Sequence, residues 1–177
     1  LMENLFKNFN IKKYLDKKPP SDNSFTTMQE IKELSKMPIN KNFVKEKDNI
    51  KKAFSGLVDE NKFVQKLIDE SAPVLLKIKK HYNRPRPKEL AKKFKIKLKD
   101  VEMSSMKTSS YPSGHSAQGI LIGLALSDKY PVKKNKLMKT ARDISKSRNI
   151  AHAHYKSDSR FGETIGKDMY NHIKNKI

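Results

Sequence analysis

The sequence predicts an all-α fold, a compact helical bundle in a single domain. Three observations point there. Apolar residues recur at spacings of three and four along most of the chain, no segment sustains the alternation of a strand, and no stretch repeats another. At 177 residues the chain is long enough for one domain with a real core.

Residues 1–24 are polar and lysine-rich and close on Pro19-Pro20-Ser21-Asp22-Asn23-Ser24, which predicts an extended N-terminal arm and a turn before a domain spanning 25–177. Thr26 or Thr27 is the expected cap of a helix running to about Met37, with Met28, Ile31 and Leu34 on one face and Pro38 ending it. A weaker helical stretch covers about 41–55, through Phe43, Val44, Ile50 and Phe54, and Gly56 breaks it. From about Glu60 to Tyr82 the pattern Phe63, Val64, Leu67, Ile68, Val74, Leu75, Ile78 is strongly helical, with Pro73 inside it as a kink or a point of division. Lys88 to Phe94 makes one short helix, and the rest of 88–110 reads as a loop over the site. Helices follow at about 114–128 and at about 132–151, the second with Pro131 in its first turn. A last helix over about 157–174 carries Phe161, Ile165, Met169 and Ile173 at spacing four.

Lys and Arg number 39 against 19 Asp and Glu, a formal charge of +20. Such a balance suits an anionic small substrate, or a polyanion held by non-specific charge; a lysine-rich surface from biased composition accounts for it equally well, because the lysines are scattered. There is no cysteine, which excludes disulfides and thiolate metal sites. No apolar run approaches a membrane span, and residues 1–15 lack the apolar core of a signal peptide, so a soluble protein is expected; Leu1 before Met2 leaves a removed leader open.

Three clusters carry chemistry. In Lys79-Lys80-His81-Tyr82-Asn83-Arg84-Pro85-Arg86-Pro87 prolines stiffen the backbone around arginines, whose guanidinium forks match phosphate oxygens; a solvated basic helix end is the plain alternative. Tyr111-Pro112-Ser113-Gly114-His115-Ser116 runs into the apolar segment 120–126, a turn into a helix whose N-terminus presents free N–H groups to an anion. Taken alone it is an ordinary helix start capped by Ser113. In the third cluster, Ser147-Arg148 through His154 to Asp158, the His–Asp spacing of four lets the carboxylate fix the imidazole tautomer across one turn and frees the other ring nitrogen to attack. A surface His–Asp pair is the plain alternative. A metal held by His152, His154 and Asp158 is disfavoured by the neighbouring cations.

Together the clusters resemble the signature of the type 2 phosphatidic acid phosphatase superfamily, which includes bacterial class A acid phosphatases and vanadium haloperoxidases. The matching residues are Lys79 with Arg86-Pro87, Pro112-Ser113-Gly114-His115, and Ser147-Arg148 with His154 and Asp158. Lys77 with Arg84-Pro85 has the same spacing as Lys79 with Arg86-Pro87; an arginine two residues before the Arg-Pro resembles the class A form and favours Lys79 and Arg86. Tyr111 and the upstream Pro19-Pro20 with Ser24 also resemble that branch. Ser116 stands where that branch has threonine, and Ser159-Arg160-Phe161-Gly162 replaces its run of small residues.

The resemblance implies a helical bundle of the acid phosphatase/vanadium haloperoxidase type and a phosphomonoester hydrolase with no metal or other cofactor. It makes His154 the nucleophile, forming a phosphohistidine, with Asp158 orienting it and His115 as general acid. Lys79, Arg86, Ser113, Gly114 and Arg148 would hold the phosphate, and His81 and His152 would stand outside the machinery. Vanadate would inhibit such an enzyme. The rival expectations are a vanadium-dependent haloperoxidase and a basic nucleic-acid-binding protein with a relic site.

Overall fold

The computed structural model describes residues 3–177. All regular structure among them is helical: α1 (Phe25–Lys36), α2 (Lys41–Lys47), α3 (Ile50–Ser55), α4 (Asn61–Tyr82), α5 (Pro87–Lys93), α6 (Gly114–Lys129), α7 (Lys134–Ile150) and α8 (Lys156–Ile173), with 3-10 turns at Lys12–Tyr14, Ser104–Lys107 and Pro131–Lys133. None of the described helices is long and apolar enough to cross a membrane.

Helix α6 is the axis of the bundle. Its residues from Ser116 to Gly123 are buried on every face, because α7, α8 and α4 surround it. That explains why its sequence is apolar without a clear stripe: a helix enclosed on all sides has no polar face to keep. The core joins Leu121, Ile122 and Leu126 of α6 to Leu67 and Ile78 of α4, Ile144 of α7 and Ile165 and Met169 of α8.

The largest departure from the sequence reading is at the N-terminus. The segment expected to be an extended arm turns back onto the bundle; its residues 1 and 2 lie outside the described residues. Phe6 and Tyr14 enter the main core. The Tyr14 hydroxyl donates to Asp168 at 2.5 Å, and Tyr111, stacked on Phe161 with ring centres 4.5 Å apart, donates its hydroxyl to the Lys17 carbonyl. Aromatic residues spread thinly through a lysine-rich stretch carry no periodicity, which is why their burial was not readable.

Four smaller corrections follow from local chemistry. Helix α1 is capped by Ser24, whose Oγ accepts from Thr27 N–H at 3.1 Å; Thr27, an expected cap, is buried instead. The expected helix over 41–55 divides at Asp48–Asn49, where the Asn49 side chain caps α3 by accepting from Lys52 N–H. Pro73 does not divide α4, since buried Leu67 and Leu75 anchor the helix on both sides of it, enough to offset the roughly 3 kcal/mol a mid-helix proline costs. Pro131 opens a separate 3-10 turn, so α7 starts only at Lys134.

Helix α8 lies directly on the α6 backbone. A β-carbon at Gly162 would collide with the Ser113 carbonyl oxygen, and one at Gly166 with the Ala117 carbonyl oxygen. Backbone cannot yield as a side chain does, so Gly166→Ala is expected to cost about 3 kcal/mol. That is a fall of roughly 6–12 °C in melting temperature for a chain of this size, readable by calorimetry. An unchanged melting temperature would show that α8 can stand off from α6.

Candidate active site

The three sequence clusters meet at one end of α6. Lys79 lies in the last turn of α4, which ends at Asn83 in the left-handed conformation (φ 48°). The chain then runs extended through Arg84 and Arg86 until Pro87 opens α5. Gly114 and His115 start α6, Arg148 sits in the last turn of α7, and His154 precedes α8. Lys79, Arg86, Gly114, His115, Arg148 and His154 all line one cavity of about 280 Å3.

His154 and Asp158 do not sit across a turn of one helix, as their spacing suggested. His154 lies ahead of Tyr155, the N-cap of α8, and Asp158 is the third residue of that helix. Its Oδ2 accepts the Tyr155 N–H, so the capping bond brings the carboxylate within 3.0 Å of His154 Nδ1. On the other side of the ring, Arg86 Nη1 lies 2.9 Å from Nε2. A guanidinium can only donate, so Nε2 carries the lone pair and Nδ1 the proton. Burial, and then Arg86, Lys79 and Arg148, hold the His154 pKa well below the ordinary histidine value. The result is a neutral imidazole whose Nε2 lone pair, on the cavity side, accepts from Arg86.

The two arginines of the Arg-Pro-Arg-Pro run have different places. Arg86 reaches the cavity, and Arg84 stands behind Asp158, with Nη1 2.7 Å from Oδ1. Arg84 is buried against the Tyr155 ring, 3.7 Å from its centre, and faces Glu30 at 3.5 Å. Lys77 is exposed, whereas Lys79 is buried. The sequence offers Arg84, with Lys77, only as the alternative to Arg86 and Lys79; a place behind Asp158 has no signal in the spacing.

Asp158 has five partners: His154, Arg84, Tyr155 N–H, and the Ser110 hydroxyl, which donates to Oδ2, while its own carbonyl accepts from Ser113 N–H at 3.0 Å. Its pKa is raised to about 6 by burial, against the lowering effect of Arg84 and Ser110. Glu30 caps α8 from a distance, accepting from Ser157 N–H at 2.7 Å and from its hydroxyl at 2.8 Å.

The other expected phosphate ligands divide. Ser113 caps α6 by accepting Ser116 N–H at 3.2 Å, is fully buried, and is absent from the cavity lining. Gly114, the first residue of α6, does line it. Arg148 Nη1 pairs with Asp48 at 2.5 Å and Nη2 donates to Ser105 Oγ, while its Nε has no hydrogen-bond partner. His115 donates from Nε2 to the Asp48 carbonyl at 2.9 Å, which leaves Nδ1 without a protein partner. Burial, and then Arg148, lower the His115 pKa to about 3. Asp48 therefore touches both groups, from a position between two short helices that no motif spacing marks.

The loop over the site is held by the same cations. Lys79 Nζ donates to the Ser109 carbonyl, Arg86 to the carbonyls of Ser105 and Thr108, and Arg148 to Ser105 Oγ. His81 and His152 stand outside. His81 is exposed, and both ring nitrogens of His152 face carbonyls, those of Lys99 and Met37. Among the described residues no cluster of three or more His, Asp or Glu side chains is arranged to hold a metal.

No protein-family model matches the chain. Over 88 residues it is 38% identical to a non-specific acid phosphatase of Salmonella typhimurium. Over 88 residues it is also 36% identical to a non-specific acid phosphatase of Salmonella typhi. Each match covers 50% of this chain and 35% of the relative, so the chain spans about a third of the length of the curated relatives it matches. Lys79, Arg86 and Arg148 give the cavity a positive charge.

Lys79 gives this site a pH dependence. Burial, and then the like charge of Arg86, lower its pKa to about 7. Below that pH it is cationic, and above it the cavity loses one of its three positive charges, those of Lys79, Arg86 and Arg148. Binding of inorganic phosphate is expected to weaken as pH rises past about 7. The weakening should be absent from Lys79→Met, measured as Kd against pH.

Proposed function

We propose that the chain is a phosphomonoester hydrolase of the class A acid phosphatase kind, in the type 2 phosphatidic acid phosphatase superfamily, working without a metal through a phosphohistidine. The domain at 25–177 carries the site, and the described part of the N-terminal segment, residues 3–24, braces it. The observation that carries this reading is the His154 lone pair, aimed into a cavity with Lys79, Arg86, Arg148 and the α6 N-terminus around it.

The phosphoryl group of a monoester enters against these donors, and Arg86 exchanges its bond to Nε2 for one to a phosphate oxygen. His154 Nε2 attacks phosphorus in line with the ester oxygen; the N–P bond forms as the P–O bond breaks. Asp158 accepts a stronger hydrogen bond from Nδ1–H as positive charge develops on the ring. His115, made cationic by the arriving dianion, gives a proton to the leaving alkoxide. A water then attacks the phosphohistidine, its proton returns to His115, the N–P bond breaks, and inorganic phosphate leaves.

The test is hydrolysis of p-nitrophenyl phosphate in EDTA, with vanadate as inhibitor and trapping of an acid-labile, base-stable phosphoenzyme. Activity in EDTA, inhibition by vanadate, and a phosphoenzyme absent from His154→Ala are expected. No hydrolysis by the wild type would overturn the reading. Loss of activity in EDTA would overturn its metal-free part.

A further inference from the structure

The cavity has two unlike ends. Lys79, Arg86, Arg148, His154 and the start of α6 close one of them. The other is walled by Ala72, Leu75 and Leu76 of α4. These lie seven, four and three residues before Lys79, a stripe that reaches about 10 Å back along the helix axis. The uncharged polar side chains of the lining are Ser105, Thr108 and Gln118, and the Gln118 amide nitrogen is engaged by the Ile68 carbonyl at 3.2 Å and Ser71 Oγ at 3.1 Å. In a chain of charge +20, no lysine or arginine lies along this wall.

We infer that the site prefers phosphate monoesters of small apolar alcohols, aryl or short alkyl phosphates, over sugar phosphates and nucleotides. This rests on the hydrolase reading above and names its substrate class. Three oxygens of the phosphoryl group use the donors at the charged end, so the ester substituent meets the α4 wall. A polyol placed against Ala72, Leu75 and Leu76 gives up water to side chains that return no hydrogen bond. The further phosphates of a nucleoside diphosphate or triphosphate would meet no cation along the α4 wall. A volume of about 280 Å3 lies near the lower limit of ordinary ligand pockets, roughly 300–1,000 Å3, which suits a phosphate with a ring or short chain. A separate depression with Asp48, Asn49 and Lys51 lies past His115 and Gln118; it is the place a polar substituent would have to reach.

Non-hydrolysable phosphonates test the preference by calorimetry on the whole chain, with inorganic phosphate, propylphosphonate, 3-hydroxypropylphosphonate and phenylphosphonate as probes. Each buried methylene is worth roughly fourfold in affinity, so propyl- and phenylphosphonate are expected to bind about tenfold tighter than the hydroxypropyl compound. The ratio should collapse in Leu76→Asn and in Ala72→Asn, both at positions with solvent access that tolerate a polar side chain. Equal binding of the propyl and hydroxypropyl compounds, or a ratio that survives both substitutions, would overturn the inference and leave the hydrolase reading standing. Failure of inorganic phosphate itself to bind would overturn both.

Discussion

Replacement of His154 by alanine is expected to lower the rate of p-nitrophenyl phosphate hydrolysis by about 10⁴-fold or more, with no phosphoenzyme formed. The Nε2 lone pair of His154 is on the cavity side, because its Nδ1–H is held by Asp158 at 3.0 Å. Water could replace it only by finding its own place in line, without a base to activate it. The cationic groups remain, so inhibition by inorganic phosphate should persist within about tenfold of the wild type. That split, lost rate with kept binding, distinguishes a nucleophile from a residue that merely supports the pocket. His115→Ala should behave differently: it should lose more rate on substrates with poor leaving groups than on p-nitrophenyl phosphate, because a good leaving group needs less protonation. Equal losses on both would argue against an acid role for His115.

Replacement of Arg84 by methionine is expected to move the acid limb of the pH–rate profile to higher pH. Asp158 is held near 6 by two opposed effects, burial pushing up and Arg84 pulling down. With the guanidinium gone, the first effect is left with less opposition and the carboxyl keeps its proton to higher pH. A protonated Asp158 no longer stabilises positive charge on His154, so rate falls at pH values where the wild type still works. Removing one partner of a buried pair also costs about 3–5 kcal/mol of stability, and calorimetry should show a lower melting temperature. Stability alone would reduce the amount of active protein without moving the profile. Arg84→Lys should restore part of the acid limb, since it returns a charge although not the two-pronged geometry. An acid limb that stays in place in Arg84→Met would mean that Arg84 serves folding only.

What the sequence made readable follows the range of the forces involved. Helix positions came from local periodicity, and α6, α7 and α8 fell within a few residues of expectation. Residues gathered from three clusters met at one cavity, since each cluster sits at a helix end where the chain turns toward the same point. What could not be read is what joins residues far apart in the chain. Asp48 meets His115 across 67 positions and Arg148 across 100. Glu30 meets Ser157 across 127. The place of Arg84 behind Asp158 needed the direction of its side chain, and the absence of Ser113 from the cavity lining needed its burial. Phe6 and Tyr14 entered the core from a stretch with no apolar rhythm, because aromatic residues can be buried singly where a helix stripe is not required.

The glycine contact between α8 and α6 has a consequence for heat inactivation. Ser113 N–H donates to the Asp158 carbonyl, and Gly162 brings the α8 backbone against the Ser113 carbonyl oxygen. The His154–Asp158 side and the His115 side of the cavity are thus parts of one backbone block, with no side-chain layer between them to soften first. Such a unit opens only with the bundle as a whole. Activity should therefore survive on heating until the cooperative transition and vanish with it, with no lower range of temperature in which a folded protein has lost its catalytic alignment.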